Sequence, residues 1–251
     1  MDLGIGYNLY AGRKFSTTAP TESPLQQAVI AAWDMQEESG PLLPAKGGIE
    51  IPAFNSPGSV VDAFGLGVRG RQCDAVSSQR FSVADAPVFK LLDGRTFRWW
   101  FIRDDLTSSI NALIEKPSDN PSTSGEQFGF RMGANGDSRM RVRNAANDAV
   151  QAINANFGGE ASQDGDMLRI ELSRDGNTIT LRNHTFRDGV IFRQGTGTAN
   201  AGAWTDSVQP LTLSAGENGG IVTWGPWVAL DRLMTTEERA ADLTPRLYGD
   251  L

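Results

Sequence analysis

Residues 221–251, IVTWGPWVALDRLMTTEERAADLTPRLYGDL, join the pattern of a β-strand to that of a helix. The alternating apolar residues at the start predict a strand, in which Pro226 requires a sheet edge or a bulge. Thr235 and Glu238 have the spacing of a capping box, where a hydroxyl and a carboxylate each accept a hydrogen bond from an exposed backbone N–H group. A short helix therefore begins after Thr235, and Pro245 disturbs its continuation.

The turn and the helix after this strand are expected to close one end of the fold. Asp231 and Arg232 predict a structural turn with an ion pair rather than a chemical site. The buried side of the helix should consist of apolar residues at helical spacing. These residues are Leu233, Ala240, Leu243 and Leu247.

Upstream, the patterns are those of strands and hairpins. Residues 95–103, RTFRWWFIR, have large apolar side chains on both faces and predict a central strand that is covered on both sides. Residues 126–144 predict a hairpin that turns at Asn135, and residues 167–183 predict a second one that turns at Asp175. Many short strands and one terminal helix together predict a two-sheet antiparallel sandwich.

Length and charge limit the class of protein. A chain of 251 residues is commonly a single domain when it forms a β-sandwich. The net charge of −7 argues against a nucleic-acid partner, and the apolar run AVIAAW is far shorter than the ~20 residues of a membrane helix. The single cysteine, Cys73, excludes an internal disulfide framework and is expected to be a small apolar filler in a strand.

Residues 1–24 differ from the remainder because a Gly- and Tyr-containing start passes into the linker-like stretch STTAPTESP. They form either a frayed terminus or edge strand, or an extended arm that docks on a neighbouring subunit. The start lacks the basic and apolar pattern of a secretory signal. Residues 25–251 are then the sandwich domain, whose opening segment LQQAVIAAWDM predicts the first strand. The partner-anchoring residues of the arm would be Tyr7, Tyr10 and Phe15.

Several segments resemble, in the right order, the laminin-G-like, concanavalin A-like jelly-roll family. They are VIAAWDMQEESGP (29–41), LLDGRTFRWWFIRDD (91–105), LRIELSRDGNTITLRN (168–183) and WVALDRLMTTEERAADL (227–243). The resemblance covers roughly Leu25 to the end, and it is to the kind of domain found in tailed-phage virion proteins. It implies an all-β, two-sheet jelly-roll sandwich with a short C-terminal helix. Lectins, glycosidases, adhesion modules and viral structural domains share this fold, so the fold alone does not give the function.

An enzymatic function is not expected. Glycosidases of this fold place their carboxylates on one strand as Glu-x-Asp-x-x-Glu or a near variant, and the chain has no such run. Asp104 and Asp105 are adjacent, so they would point to opposite faces of a strand. His184 is the only histidine, and we expect it to be a hydrogen-bonded turn or strand residue. The sequence therefore predicts no catalytic residues.

The sequence leaves open whether the protein binds calcium, and no other metal or cofactor is expected. Carboxylate and amide oxygens in loops are suitable calcium ligands, although tight turns require the same residue types. The candidate ligands are Asp104, Asp105, Asn135, Asp137, Asp164 and Asp166.

Two surface features are candidates for ligand contact. Arg139, Arg141 and Arg143 alternate along one strand, and Arg131 lies on the preceding one. They form either the solvated face of a sheet or a basic stripe that contacts an acidic glycan or another negatively charged partner. Trp204, in NAGAWTDSV, either stacks on a sugar ring or packs at the edge of the sandwich.

Three functions compete. The first, which we favour, is a non-enzymatic surface protein of a tailed-phage virion, either capsid decoration or tail-associated, which is anchored by its arm and displays a jelly-roll that binds glycans. Its partners would be other virion proteins, copies of itself and a host-surface glycan, with no nucleic acid and no membrane. It would be made in the host cytoplasm without a signal peptide. The alternatives are a cellular carbohydrate-binding or adhesion module and a glycoside hydrolase.

Overall fold

The computed structural model describes residues 22–105, 110–117, 126–133, 137–143, 150–155, 160–200, 207–216 and 220–251. Several predicted site residues lie outside these ranges, so their predictions stay open. They are Tyr7, Tyr10 and Phe15 of the arm, together with Asn135 and Trp204.

Two antiparallel sheets form a sandwich in the described part of the chain. In chain order the strands are Val29–Trp33 (β1), Pro44–Lys46 (β2), Ala53–Phe54 (β3), Gly58–Val60 (β4), Gly70–Asp74 (β5), Arg80–Val83 (β6), Thr96–Asp105 (β7), Ile110–Pro117 (β8), Glu126–Gly133 (β9), Ser138–Arg143 (β10), Val150–Ala155 (β11), Met167–Asp175 (β12), Thr178–Arg187 (β13), Val190–Asn200 (β14), Leu211–Ser214 (β15) and Ile221–Leu230 (β16). The helices are Pro24–Ala28 (α1) and Thr236–Ala241 (α2), with 3-10 turns at Pro87–Phe89 and Tyr248–Asp250.

The two sheets differ in their number of strands. Within the described ranges, one has nine strands, with the order β14-β13-β12-β7-β16-β1-β2 and with β5 and β4 branching from β16. The other has seven, with the order β11-β10-β9-β8-β15-β6-β3. A large apolar core lies between them. The predicted two-sheet antiparallel sandwich with a short C-terminal helix is confirmed.

Strand β7 is central and buried on both faces, as its sequence predicts. It pairs with β12 on one side and β16 on the other. On the inner face, the rings of Trp99 and Phe101 lie 5.3 and 6.0 Å from the ring of Phe130 in the other sheet. On the outer face, Trp100 lies 5.4 Å from Phe186. The C-terminal segment packs against this pair, so the outer face of the nine-stranded sheet also has an apolar cover.

Both predicted hairpins form. In the β9–β10 hairpin Met140 pairs with Phe130, and both side chains point into the core. In the β12–β13 hairpin Leu172 pairs with Leu181, and Gly176 in the turn has a φ of +56°, a left-handed conformation that suits glycine. Strand period agrees with the observed register in both hairpins, and in the second one the described turn residue Gly176 also fits.

Strand β16 accommodates its proline through a bulge. The register against β7 shifts between Trp224 and Trp227, so Pro226 lies where the ladder is interrupted and its missing N–H group costs no hydrogen bond. The strand nevertheless lies in the interior of the sheet, between β7 and the strands β1 and β5. The sequence predicted that Pro226 requires a sheet edge or a bulge, and the structure has the bulge.

The first predicted strand begins later than expected, because residues before Val29 form helix α1. Ser23 Oγ accepts a hydrogen bond from the Gln26 backbone at 3.1 Å, Gln26 Oε1 accepts one from the Ser23 backbone at 2.7 Å, and Pro24 occupies the first helical turn. Ser23 Oγ also donates to the Leu251 carbonyl at 2.9 Å. The folded domain thus includes residues just before the predicted start at residue 25.

The C-terminal helix is capped as predicted. Glu238 N–H donates to Thr235 Oγ1 at 3.1 Å, and the Thr235 N–H donates to Glu238 Oε2 at 2.8 Å. The same carboxylate accepts a hydrogen bond from Arg232 Nη1 at 2.8 Å. The expected ion pair of Arg232 with Asp231 is therefore wrong, because the capping carboxylate takes this guanidinium.

The buried side of α2 differs in part from the prediction. Leu243 and Leu247 pack against the cluster around Trp100, but Ala240 is exposed. The helix ends at Ala241, so most of the burial comes from the segment that follows it rather than from a repeating helical stripe.

We expect Thr235→Ala to lower the free energy of unfolding by about 1 kcal/mol, because the N–H group of Glu238 loses its acceptor. Urea unfolding monitored by circular dichroism measures the change. Thr236→Ala, at an exposed position in the first helical turn, is the matched control and should change stability little. Equal effects of the two substitutions would contradict the role of the cap.

Candidate functional site

The outer face of the seven-stranded sheet is polar and faces solvent, unlike that of the larger sheet. Along β6 and β15 the inward residues Phe81 and Leu213 are buried, while the alternate positions point outward. Two of these outward residues, Ser82 and Thr212, contact each other across the strands with their hydroxyl oxygens 3.2 Å apart. This face is therefore available for a polar ligand.

A cleft of about 360 Å³ lies on this face, and we call it the sheet cleft. Arg80 pairs with Ser214, and Thr212 pairs with Glu115, so the strands β6, β15 and β8 place these side chains side by side. Its volume is within the roughly 300–1,000 Å³ typical of ligand pockets. The lining includes Ser78, Gln79, Arg80, Glu115, Thr212 and Ser214.

An exposed aromatic residue lies next to the sheet cleft. Phe54 pairs with Arg80 between β3 and β6, its side chain is 41% exposed, and the Arg80 guanidinium lies 5.1 Å from the ring centroid. The loop after Phe54 is tied to the cleft, because Asn55 Nδ2 donates to the Ser78 carbonyl at 3.1 Å. Gln79 Nε2 donates to the carbonyl of Ser56 at 3.1 Å. The aromatic rim is thus held in place before any ligand arrives.

The predicted basic stripe occupies another part of the same sheet. Arg131 and Arg139 are cross-strand partners on β9 and β10, and Arg141 lies two residues further along β10. All three are partly exposed, and Arg139 Nε donates to Asn154 Oδ1 at 2.8 Å. Arg143 ends the strand and pairs through its backbone with Val150. The structure thus brings Arg131, Arg139 and Arg141 together, and the stripe begins on β9, the strand that pairs with β8, which contributes Glu115 to the sheet cleft.

Three of the six predicted calcium ligands serve as ion-pair partners of arginines. Asp166 pairs with Arg187 through both carboxylate oxygens at 2.9 Å. Asp164 lies 3.2 Å from Arg103, and Asp137 lies 3.1 Å from Arg193. In the described ranges no group of three or more histidine, cysteine or acidic side chains is arranged to hold a metal.

The remaining acidic pair ends strand β7. Asp104 Oδ2 accepts hydrogen bonds from the hydroxyl of Thr223 and from Gln72, and burial raises the pKa of its carboxyl group. Asp105 pairs through its backbone with Ile221. The geometry therefore gives Asp104 a structural role, while calcium binding stays a prediction.

A second cleft, of about 410 Å³, lies on the opposite sheet, and we call it the helix cleft. It is formed by β13, β14 and the region of α2. His184 lines it, with its Nδ1 buried and without a hydrogen-bond partner. Burial, together with the nearby Arg169, lowers the pKa of His184 to about 4. His184 is a strand residue, as predicted. Its Nδ1 atom, however, lacks the hydrogen bond that the sequence analysis expected.

No protein-family model and no curated protein sequence matches the chain. Among solved structures it is similar to the receptor-binding domain of botulinum neurotoxin type G, with 9% identity, a TM-score of 0.57, and coverage of 86% of this chain and 50% of that one. It is also similar to the binding domain of botulinum neurotoxin DC in complex with SialylT, with 8% identity, a TM-score of 0.59, and coverage of 87% of this chain and 51% of that one. A third similar structure is the binding domain of Paraclostridial Mosquitocidal Protein 1, with 10% identity, a TM-score of 0.60, and coverage of 87% of this chain and 52% of that one.

These similarities support the β-sandwich fold. The chain spans about half the length of the structures that it matches. At identities this low the likeness extends to the fold alone. The finer resemblance to laminin-G domains and phage proteins stays a prediction.

Sequence reasoning did not identify Phe54 or the residues around the sheet cleft. The segment AFNSPGS shows only turn residues, and the one signal was an aromatic side chain among them. Cys73 was interpreted correctly, because it is fully buried in β5 and burial raises the pKa of its thiol to about 12. None of the helices in the described ranges is both long and apolar enough to span a membrane.

We expect the protein to lose stability as the pH falls from about 6.5 towards 4. In this window the unfolded chain takes up a proton on His184, whereas the folded chain keeps this imidazole neutral. His184→Gln should remove this part of the pH dependence in urea unfolding. Because the chain has one histidine, its proton NMR titration is unambiguous, and a midpoint near 6.5 in the folded protein would contradict the prediction.

Proposed function

We propose that this protein is a non-enzymatic carbohydrate-binding module that binds its ligand in the sheet cleft. The observation that carries the proposal is the combination of an aromatic rim, Phe54, with a cleft lined by the charged groups of Arg80 and Glu115 and the hydroxyls of Thr212 and Ser214. Guanidinium, carboxylate and hydroxyl groups together can donate to and accept from the hydroxyls of a sugar. The apolar face of a sugar ring can stack on Phe54.

The rigidity of the cleft also supports this function. The cleft residues project from paired strands, and hydrogen bonds from Asn55 and Gln79 hold the rim loop. A site that is formed in advance loses less conformational entropy when the ligand binds. The basic stripe on the same face would extend the contact surface towards an acidic glycan.

The structural neighbours favour binding over catalysis. One of them is a receptor-binding domain, and another is a binding domain in complex with SialylT. In the present chain the two acidic neighbours Asp104 and Asp105 are adjacent in sequence, which does not suit the paired carboxylates of a glycosidase. We therefore propose binding without hydrolysis.

We further propose that the module is displayed on a tailed-phage virion, as capsid decoration or on the tail, with residues 1–24 as its attachment. Helix α1 packs through Leu25 on the outer face of the nine-stranded sheet, beside Val228 and Met234. The sheet cleft lies on the opposite sheet. An arm that leaves from this side would hold the module to a particle while the sheet cleft faces outward.

The first experiment is a glycan array probed with the full chain, with calcium and again with a chelator. We expect saturable binding to at least one class of glycan, and Phe54→Ala should weaken it by at least about tenfold, or about 1.4 kcal/mol. Leu66→Ala is the control, because it removes a side chain that is 86% exposed away from the sheet cleft. A loss of binding in chelator would support the calcium prediction.

Two outcomes would contradict the proposed site and function. Binding that Phe54→Ala and Leu66→Ala reduce equally would show that the sheet cleft is not the site. If the full chain bound none of the glycans on the array, this result would contradict carbohydrate binding itself.

The attachment role predicts that deletion of residues 1–21 leaves a folded, glycan-binding sandwich that is no longer incorporated into particles. The deletion spares Glu22, whose carboxylate pairs with Lys46 at 3.3 Å, and Ser23, which caps α1. Incorporation is measured by co-sedimentation of tagged protein with assembled particles. Equal incorporation of the full and the shortened chain would contradict the role of the arm.

A further inference from the structure

A buried ionic cluster lies under the C-terminal segment, on the outer face of the nine-stranded sheet. Glu171 on β12 is fully buried, and its Oε1 accepts hydrogen bonds from Arg182 at 3.0 Å and Arg239 at 2.7 Å. Asp242 lies 3.0 Å from Arg98 and 2.8 Å from Arg169. We call these six residues the ionic cluster.

The ionic cluster has more positive than negative charge. Four guanidinium groups face two carboxylates, which leaves two positive charges in excess. Asp34 and Arg246 act on it from further out and add one charge of each sign. An excess of buried charge is costly unless a counter-ion or solvent compensates it. The ionic cluster therefore favours an anion nearby.

The excess charge is accessible from the helix cleft. Arg182 and Arg239 line this cleft, and their side chains are 27% and 22% exposed. The hydrogen bonds to Glu171 use Nη1 of Arg182 and Nε of Arg239. A guanidinium has five N–H donors, so each arginine retains donors for a ligand. Thr196 also lines the helix cleft.

We propose that the helix cleft binds a small oxyanion, a carboxylate, phosphate or sulfate group, between Arg182 and Arg239. The oxygens of such an anion match the forked geometry of guanidinium donors. Two arginines from different elements can therefore both donate hydrogen bonds to one anion. The ligand would connect strand β13 to helix α2. This site lies on the other sheet from the sheet cleft, so it does not rest on the carbohydrate-binding function.

The test measures thermal unfolding of the full chain with inorganic phosphate, sulfate or glucuronate, against chloride at equal ionic strength. We expect saturable stabilisation by at least one oxyanion beyond that by chloride, because a ligand that binds the folded state raises the melting temperature. Stabilisation by phosphate and sulfate alone would assign a tetrahedral anion. Stabilisation by glucuronate alone would assign a carboxylate.

Two variants locate the site. Arg239→Gln removes one donor, and Gln194→Glu adds a negative charge at an exposed position in the helix cleft without touching the ionic cluster. Each should weaken binding at least tenfold. The matched control is Arg69→Gln, since Arg69 has a similarly exposed side chain and pairs with Glu38 elsewhere. It should bind as the unmodified chain does.

The second variant keeps the test decisive if Arg239→Gln fails to fold, because Gln194 is exposed and uncharged, so its replacement breaks no ion pair. Binding that survives both substitutions would place the anion elsewhere and overturn the proposal. Stabilisation by all oxyanions no greater than by chloride would overturn it as well.

Discussion

The burial of strand β7 on both faces is the constraint on which the rest of the architecture depends. Its inner aromatic residues pack against the second sheet, while Arg98, Trp100 and Ile102 point the other way and also require cover. The C-terminal segment and the loop around Phe64 provide that cover. The two sheets therefore have unequal roles: the larger is enclosed on both sides, and the smaller presents a polar face to solvent.

The cover combines apolar and ionic contacts. Trp100 and Phe186 are buried against Leu243 and Leu247, whereas the neighbouring arginines and carboxylates depend on one another for hydrogen bonds. Such a network contributes little net stability, but removal of one partner leaves another charge buried and uncompensated. The position of the C-terminal segment is thus specified by its ion pairs as well as by its apolar contacts.

The sequence predicted the regular parts of the fold well, because strand period and turn residues are local signals. The β12–β13 hairpin and the bulge at Pro226 follow from such signals. Helix α1 was missed, since the short cap of Ser23 and Gln26 competes with an apolar run that also suits a strand. The sheet cleft was missed because its walls are assembled from β6, β8, β15 and the loop before β6, which only the topology of the sheet brings together. Glu171 and Asp242 share Arg169 as a partner although 71 residues of chain separate them, and no local pattern encodes that contact.

The hydrogen bond between Ser23 and the carbonyl of Leu251 brings the two ends of the folded domain together. Gln26 strengthens this closure by donating to the carbonyls of Tyr248 and Gly249 at 3.1 Å. A domain whose ends meet can be inserted into a surface loop of another protein without stretching either chain, and its sequence can be circularly permuted through a short linker. In this sandwich Ser23 and Leu251 lie at one point on the surface, so a short connection would suffice to join them.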